Sequence, residues 1–104
     1  FAMPEAAIGF VVDVGSNAWL SQLPGSLGEY AALTGARFSA ADALYAGLMT
    51  HFVRSKDMEE LRTRIVAACS VGVPARRAVE QVLRDLARPA RDAGPSLLAA
   101  RQAL

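Results

Sequence analysis

Two short phrases, Ser26-Leu27-Gly28-Glu29 and Ser39-Ala40-Ala41-Asp42, constrain most strongly what this chain can fold into. Each sets a hydroxyl three positions before a carboxylate. At that spacing the hydroxyl accepts from the amide three residues on, and the acid reaches back to the start of the helix. The first helix is expected to run to about Leu33 and stop at Gly35, a residue suited to a left-handed end. The second carries Ala43, Leu44, Ala46 and Gly47 to near Leu48, small residues that imply close packing. Before them, Asp13 to Asn17 reads as a turn, followed by a short helix over Ala18 to Leu23 that Pro24-Gly25 ends. Beyond them, His51-Phe52-Val53 reads as extended, and Ser55-Lys56-Asp57 opens a helix with Met58, Leu61, Ile65 and Cys69 at helical spacing. Pro74 sits where a first-turn proline is tolerated, and Val79, Val82, Leu83 and Leu86 form a stripe that Pro89 ends. Asp92-Ala93-Gly94-Pro95 is a linker, and a last helix begins at Ser96 and runs toward Leu104. Only Ile8 to Val12, an apolar and partly β-branched run, has the look of a short buried strand or a tightly packed loop.

At 104 residues one small domain is the most this chain can form, with about two-thirds of its unfolded surface buried. An apolar share of 53% is high for a core that small, so part of the apolar surface is expected to meet a neighbour. The net charge of +1 creates no field that draws in nucleic acid or an anionic membrane, and neither is expected as a partner. Cys69 has no second cysteine to pair with, which argues against a secreted disulfide scaffold and for a reducing, cytoplasmic setting. The longest mostly apolar run, Ile65 to Ala75, falls short of the roughly 20 residues a membrane span needs. No targeting segment is visible. The chain opens on Phe1-Ala2-Met3-Pro4 and closes inside a helical pattern, so both ends are expected to be cut.

Two carboxylates stand out. Glu5 follows Met3-Pro4 just ahead of the apolar run, and Asp13 closes that run before Val14-Gly15. If the segment bends at Gly9, the spacing allows both to reach one cavity, where Ile8, Phe10, Val11 and Val12 would desolvate an acid and disfavour its charged form. An acid that keeps its proton near neutrality is suited to general acid and base work. The competing reading is two surface acids flanking a strand. His51 has no evident acid or nucleophile beside it and reads as structural, and Cys69 reads as core filler. The arginines at 76, 77, 84, 88, 91 and 101 have one reading as an anion-binding patch for a nucleotide phosphate, but Glu80, Asp85 and Asp92 interleave with them, which favours a solvated helix face. Glycine-rich phosphate loops, metal-ligand clusters and internal repeats are missing from the sequence.

Phe1-Ala2-Met3-Pro4-Glu5, Ile8-Gly9, Asp13-Val14-Gly15, Leu27-Gly28-Glu29-Tyr30, Ala32-Leu33-Thr34-Gly35-Ala36-Arg37 and the stretch from Ala41 to Leu48 follow one another in a recognisable order. Together they resemble the crotonase (enoyl-CoA hydratase/isomerase) superfamily, in the wording of its 3-hydroxyisobutyryl-CoA hydrolase branch. The likeness is strong from Phe1 to about Val53 and loose thereafter. It implies an α/β crotonase-like spiral fold, of which this piece is mainly α-helical with one or two short strands. Residues 1–54 would be the later part of the core carrying the catalytic acids, and residues 55–104 an incomplete helical C-terminal region.

The resemblance also implies chemistry. The family's catalytic glutamate falls on Glu5, and the second acid of the hydrolase branch falls on Asp13. Glu5 would act as nucleophile or activate water, and Asp13 would position water or the substrate hydroxyl during hydrolysis of a short β-hydroxyacyl-CoA, as in valine breakdown. No cofactor or metal is implied, since coenzyme A enters as the substrate's thioester. A homo-oligomer through the helical region is expected. The family usually has Pro before the Asp and a second Gly after Gly15; Val12 and Ser16 stand there in this chain, so a differently shaped turn is expected. The family's oxyanion donors lie on earlier glycine-containing segments without counterpart here, and losing one such donor costs about 100- to 1,000-fold, so the piece alone is expected to be inactive. Alternatives are an enoyl-CoA hydratase, a dienoyl-CoA isomerase, and a non-catalytic crotonase-like or helical interaction module.

Overall fold

The computed structural model describes residues 1–70, 72 and 74–102. Among the described residues six α-helices run in chain order: α1 Ser16–Leu20, α2 Leu27–Thr34, α3 Ala40–Tyr45, α4 Met58–Cys69, α5 Ala75–Leu86 and α6 Leu97–Gln102. Short 3-10 turns cover Pro4–Ile8, Ser55–Asp57 and Ala90–Ala93. The final two positions of the expected last helix lie outside the described residues.

The expected strands are absent among the described residues, where a single antiparallel bridge joins Phe52 to Arg88. In the run from Ile8 to Val12, Ile8 instead ends a 3-10 turn, and Gly9 at φ 70° reverses the chain. Ile8, Phe10 and Val11 are 81%, 58% and 75% exposed, so the run has no buried face for a ladder to form on. The extended reading of His51 to Val53 matches the bridge, in which the Arg88 amide donates to the Phe52 carbonyl at 2.8 Å.

Two units make up the chain, one of Phe1–Thr50 with the segment from Ala93, the other of His51–Asp92. Within the first unit α6 packs on α3. Leu20, Leu27, Ala31, Phe38, Ala46 and Leu98 form the core of the first unit. At Gly28 a Cβ would collide with the backbone carbonyl of Leu20, so α1 and α2 approach closely only because that position carries no side chain.

Of the two expected capping boxes, only the second forms. Ser39 is extended at ψ 173°, its hydroxyl accepts from the Asp42 amide at 3.1 Å, and Asp42 Oδ2 accepts from the Ser39 amide at 3.1 Å. Ser26, placed by the preceding turn at φ −100° and ψ 27°, makes no side-chain cap. Gly35 ends α2 at φ 62° as expected.

Asp42 does more than cap its own helix. Its Oδ1 accepts from the Ser96 hydroxyl at 2.8 Å and the Leu98 amide at 3.1 Å, tying α3 to the start of α6. Ser96 Oγ in turn accepts from the Ala99 amide at 3.1 Å, so one buried carboxylate organises two helix starts.

In the second unit α4 and α5 pack side by side. Ala78 and Val82 of α5 are buried, whereas α4 has no fully buried residue. Cys69, expected as core filler, is exposed at the end of α4, because the apolar side of α4 is only partly covered. Arg64 pairs with Glu60 and Asp85, but all three side chains are well exposed and such pairs contribute about 0–1 kcal/mol. The hydrogen bond from Arg54 at 2.7 Å holds the Asp57 carboxyl below the usual carboxylate range at the entry to α4.

Burial at 3% exposure pushes the Asp42 carboxyl up, but the bonds from Leu98, Ser96 and Ser39 outweigh it and bring the pKa from 3.8 down to about 2. A depressed carboxylate stabilises the fold above its unfolded pKa and loses that contribution as pH falls through the folded value, here between about pH 4 and pH 2. Denaturant unfolding should therefore show Asp42→Asn less stable than the parent near neutrality, the gap closing by about 2 kcal/mol across that window. A gap that does not change with pH would contradict the assignment. Gly28→Ala should lower stability by about 2 kcal/mol or more through backbone displacement, read as a drop in thermal midpoint.

Candidate active site

Glu5 sits on the 3-10 turn Pro4–Ile8, whose first residue is proline and whose exit is Gly9 in the left-handed region. The Gly9 amide donates to the Ala6 carbonyl at 3.2 Å and the Phe10 amide to the Glu5 carbonyl at 2.9 Å, so the turn closes on the backbone of Glu5 itself. The turn packs on α2: Met3 is buried, and its carbonyl lies where a Cβ on Gly35 would be only 3.2 Å away. Phe1 anchors the segment further. Its nitrogen donates to the Phe38 carbonyl at 3.0 Å, the Phe38 amide donates back at 2.7 Å, and its ring meets Trp19 edge-on at 5.5 Å.

On this scaffold the Glu5 side chain is partly buried, and its Oε2 is shielded from solvent with no hydrogen-bond partner among the described residues. Buried polar atoms are nearly always partnered, so such an oxygen is a feature that needs a cause. Its lone pairs can take a proton from water or attack an electrophile. The residues of the expected apolar run other than Val12 are exposed, so they do not form the buried surface expected around the acid.

Asp13 lies at the other end of the same loop and is exposed, so a shared water-poor cavity is not formed by these residues alone. No hydrogen bond joins the two carboxylates among the described residues. Val12 packs against the core on one side of Asp13, and Ser16, at 1% exposure, is buried on the other. Between them Val14 adopts φ 49° and Gly15 φ 75°, and the Ser16 amide closes the turn on the Asp13 carbonyl at 2.9 Å. The Ser16 hydroxyl donates to the same carbonyl at 2.6 Å. From sequence, Ser16 registers only as a departure from glycine; its spacing three residues after Asp13 is the signal for this role.

A groove of about 590 Å³ elsewhere in the first unit is lined by Phe1, Trp19, Leu23, Tyr45, Leu48 and Met49 and includes neither acid. His51 is exposed, and the arginines of α5 are exposed too, Arg76 pairing with Glu80 at 3.0 Å. Among the described residues no group of three or more His, Cys, Asp or Glu side chains is arranged to hold a metal, and no helix is long and apolar enough to cross a membrane.

A family model described as enoyl-CoA hydratase/isomerase matches residues 1–104. The probable 3-hydroxyisobutyryl-CoA hydrolase 3 of Arabidopsis thaliana is 50% identical over 72 residues, which is 69% of this chain and 18% of that protein. The mitochondrial 3-hydroxyisobutyryl-CoA hydrolase of Xenopus tropicalis is 51% identical over 67 residues, 64% of this chain and 17% of that protein. Its namesake in Xenopus laevis is 46% identical over 83 residues, 80% of this chain and 21% of that protein. The chain thus spans about a fifth of the length of these relatives. The expected cytoplasmic setting is corrected by these names, since both frog relatives are named as mitochondrial. A single cysteine in a chain of this length does not single out the cytoplasm. With the model matched along its whole length, and with Met3-Pro4-Glu5 and Asp13-Val14-Gly15 in the order first noted, the chain belongs to the enoyl-CoA hydratase/isomerase family.

Proposed function

We propose that the full-length protein hydrolyses the thioester of 3-hydroxyisobutyryl-CoA, in mitochondria, as a step of valine breakdown. The observation that carries this reading is the shielded, unpartnered Oε2 of Glu5, on the residue the resemblance assigns to catalysis, in a chain about half identical to proteins named for that activity. Glu5 either attacks the thioester carbon directly or takes a proton from the water that does. In the first route the C–S bond breaks, CoA leaves as thiolate and is protonated, and water cleaves the acyl–Glu5 anhydride. Both routes yield 3-hydroxyisobutyrate and free CoA, and regenerate the Glu5 carboxylate.

Asp13 orients the water or the substrate hydroxyl from its pinned turn. The oxyanion donors belong to other segments of the full-length protein, which has the crotonase spiral fold. No cofactor is used beyond the CoA thioester, and neither nucleic acid nor membrane is a partner. The partly covered apolar side of α4 serves contact with a second copy.

Free-thiol release from 3-hydroxyisobutyryl-CoA by the full-length protein is the test. Wild type should release CoA, and Glu5→Gln should lose about 1,000-fold or more in kcat. Hydration or migration of a double bond in an enoyl-CoA, with no thiol released from the hydroxyacyl substrate, would replace the hydrolase reading. Wild-type turnover by Glu5→Gln would remove Glu5 from the chemistry.

A further inference from the structure

We infer that Ser16 is a positioning residue for Asp13, its buried hydroxyl holding the Asp13 carbonyl and, through it, a turn that Val14 would otherwise abandon. The inference rests on the proposed role of Asp13 and goes beyond it by naming what fixes that acid in place.

Val14 is the described non-glycine residue with positive φ, at 49°. A β-branched side chain in the left-handed region is disfavoured by the close approach of its Cβ to the backbone, and such a conformation persists only when its surroundings over-determine it. The Val14 side chain does not supply the compensation, because it is 93% exposed. The backbone bond from the Ser16 amide to the Asp13 carbonyl is common to any turn of this shape and does not by itself select valine in that conformation. What is particular to this chain is the second donor. Ser16 Oγ reaches the same oxygen at 2.6 Å from a side chain that is 1% exposed, so the donor side of the bond is shielded from water.

The restraint falls on the residue whose direction matters. Val12 packs into the core immediately before Asp13, and Leu20 carries the following helix into the same core. With Ser16 fixing the carbonyl between them, the Cα–Cβ bond of Asp13 has little rotational freedom about the backbone. Removing the hydroxyl leaves a strained turn closed by one hydrogen bond, which can relax by rotating the peptide that carries Asp13. The expected consequence is misdirection of the carboxylate, with substrate binding largely preserved.

The test is a double-mutant cycle in the full-length enzyme, with 3-hydroxyisobutyryl-CoA as substrate and thiol release as readout. Ser16→Ala should lower kcat about 10-fold with KM within about twofold, and the same change in an Asp13→Asn background should cost nothing further. Equal losses in both backgrounds would show that Ser16 only supports the fold, and an unchanged kcat in Ser16→Ala would show that the hydroxyl does not position the acid. Wild-type turnover by Asp13→Asn would instead overturn the reading of Asp13, and this inference with it. If Ser16→Ala does not fold, the pair Ser16→Thr and Ser16→Val, equal in bulk and differing in the hydroxyl, makes the same comparison. Thr should exceed Val about 10-fold in kcat, and equal values would overturn the proposal.

Discussion

Asp42 is buried to 3% exposure with its charge intact, a state that is costly unless nearly every lone pair finds a donor. It finds them on two segments far apart in the chain. The Ser39 amide and hydroxyl come from its own helix start, and the Ser96 hydroxyl and Leu98 amide come from 54 and 56 positions further on. Because Leu98 also belongs to the apolar core with Leu20, Leu27, Ala31 and Phe38, the carboxylate fixes which face of α6 enters that core. Phe38 in turn holds Phe1 by backbone bonds and ring contact, so the segment leading into Glu5 leans on the same assembly.

Glu5 provides the contrast. Each has an oxygen shielded from solvent in the same unit, yet Asp42 is saturated with donors and Glu5 keeps an oxygen with none among the described residues. A saturated carboxylate is a structural joint, since it has no lone pair to offer a substrate. An unsaturated one is tolerated where chemistry needs the lone pair. The difference in hydrogen bonding, rather than in burial alone, separates the acid that builds the fold from the acid proposed to act.

Local chemistry made much of the helical framework legible. Gly35 ends α2, Ser39 and Asp42 form the expected box, and Pro74 and Pro89 bracket α5. Ser26 failed as a cap because the Pro24-Gly25 turn leaves it out of the extended conformation that capping needs. The run from Ile8 to Val12 failed as a strand because apolar composition says nothing of which surface covers it, and Gly9 breaks its extended path. The two acids stand out in the sequence by their phrases, and their roles rest on the resemblance. The unpartnered oxygen of Glu5, the second donor from Ser16 and the long reach of Asp42 were not, since each depends on contacts that spacing does not encode.

The central claim is that Glu5 faces the scissile thioester with Asp13 on the same substrate. A crystal structure of the full-length protein bound to a non-hydrolysable thioether analogue of 3-hydroxyisobutyryl-CoA tests it most directly. The account predicts Glu5 Oε2 either about 3–3.5 Å from the carbon that replaces the thioester carbonyl or hydrogen-bonded to a water in line with it, and the Asp13 carboxylate on that water or on the substrate hydroxyl. An analogue bound with both carboxylates turned away from its reacting carbon would contradict it.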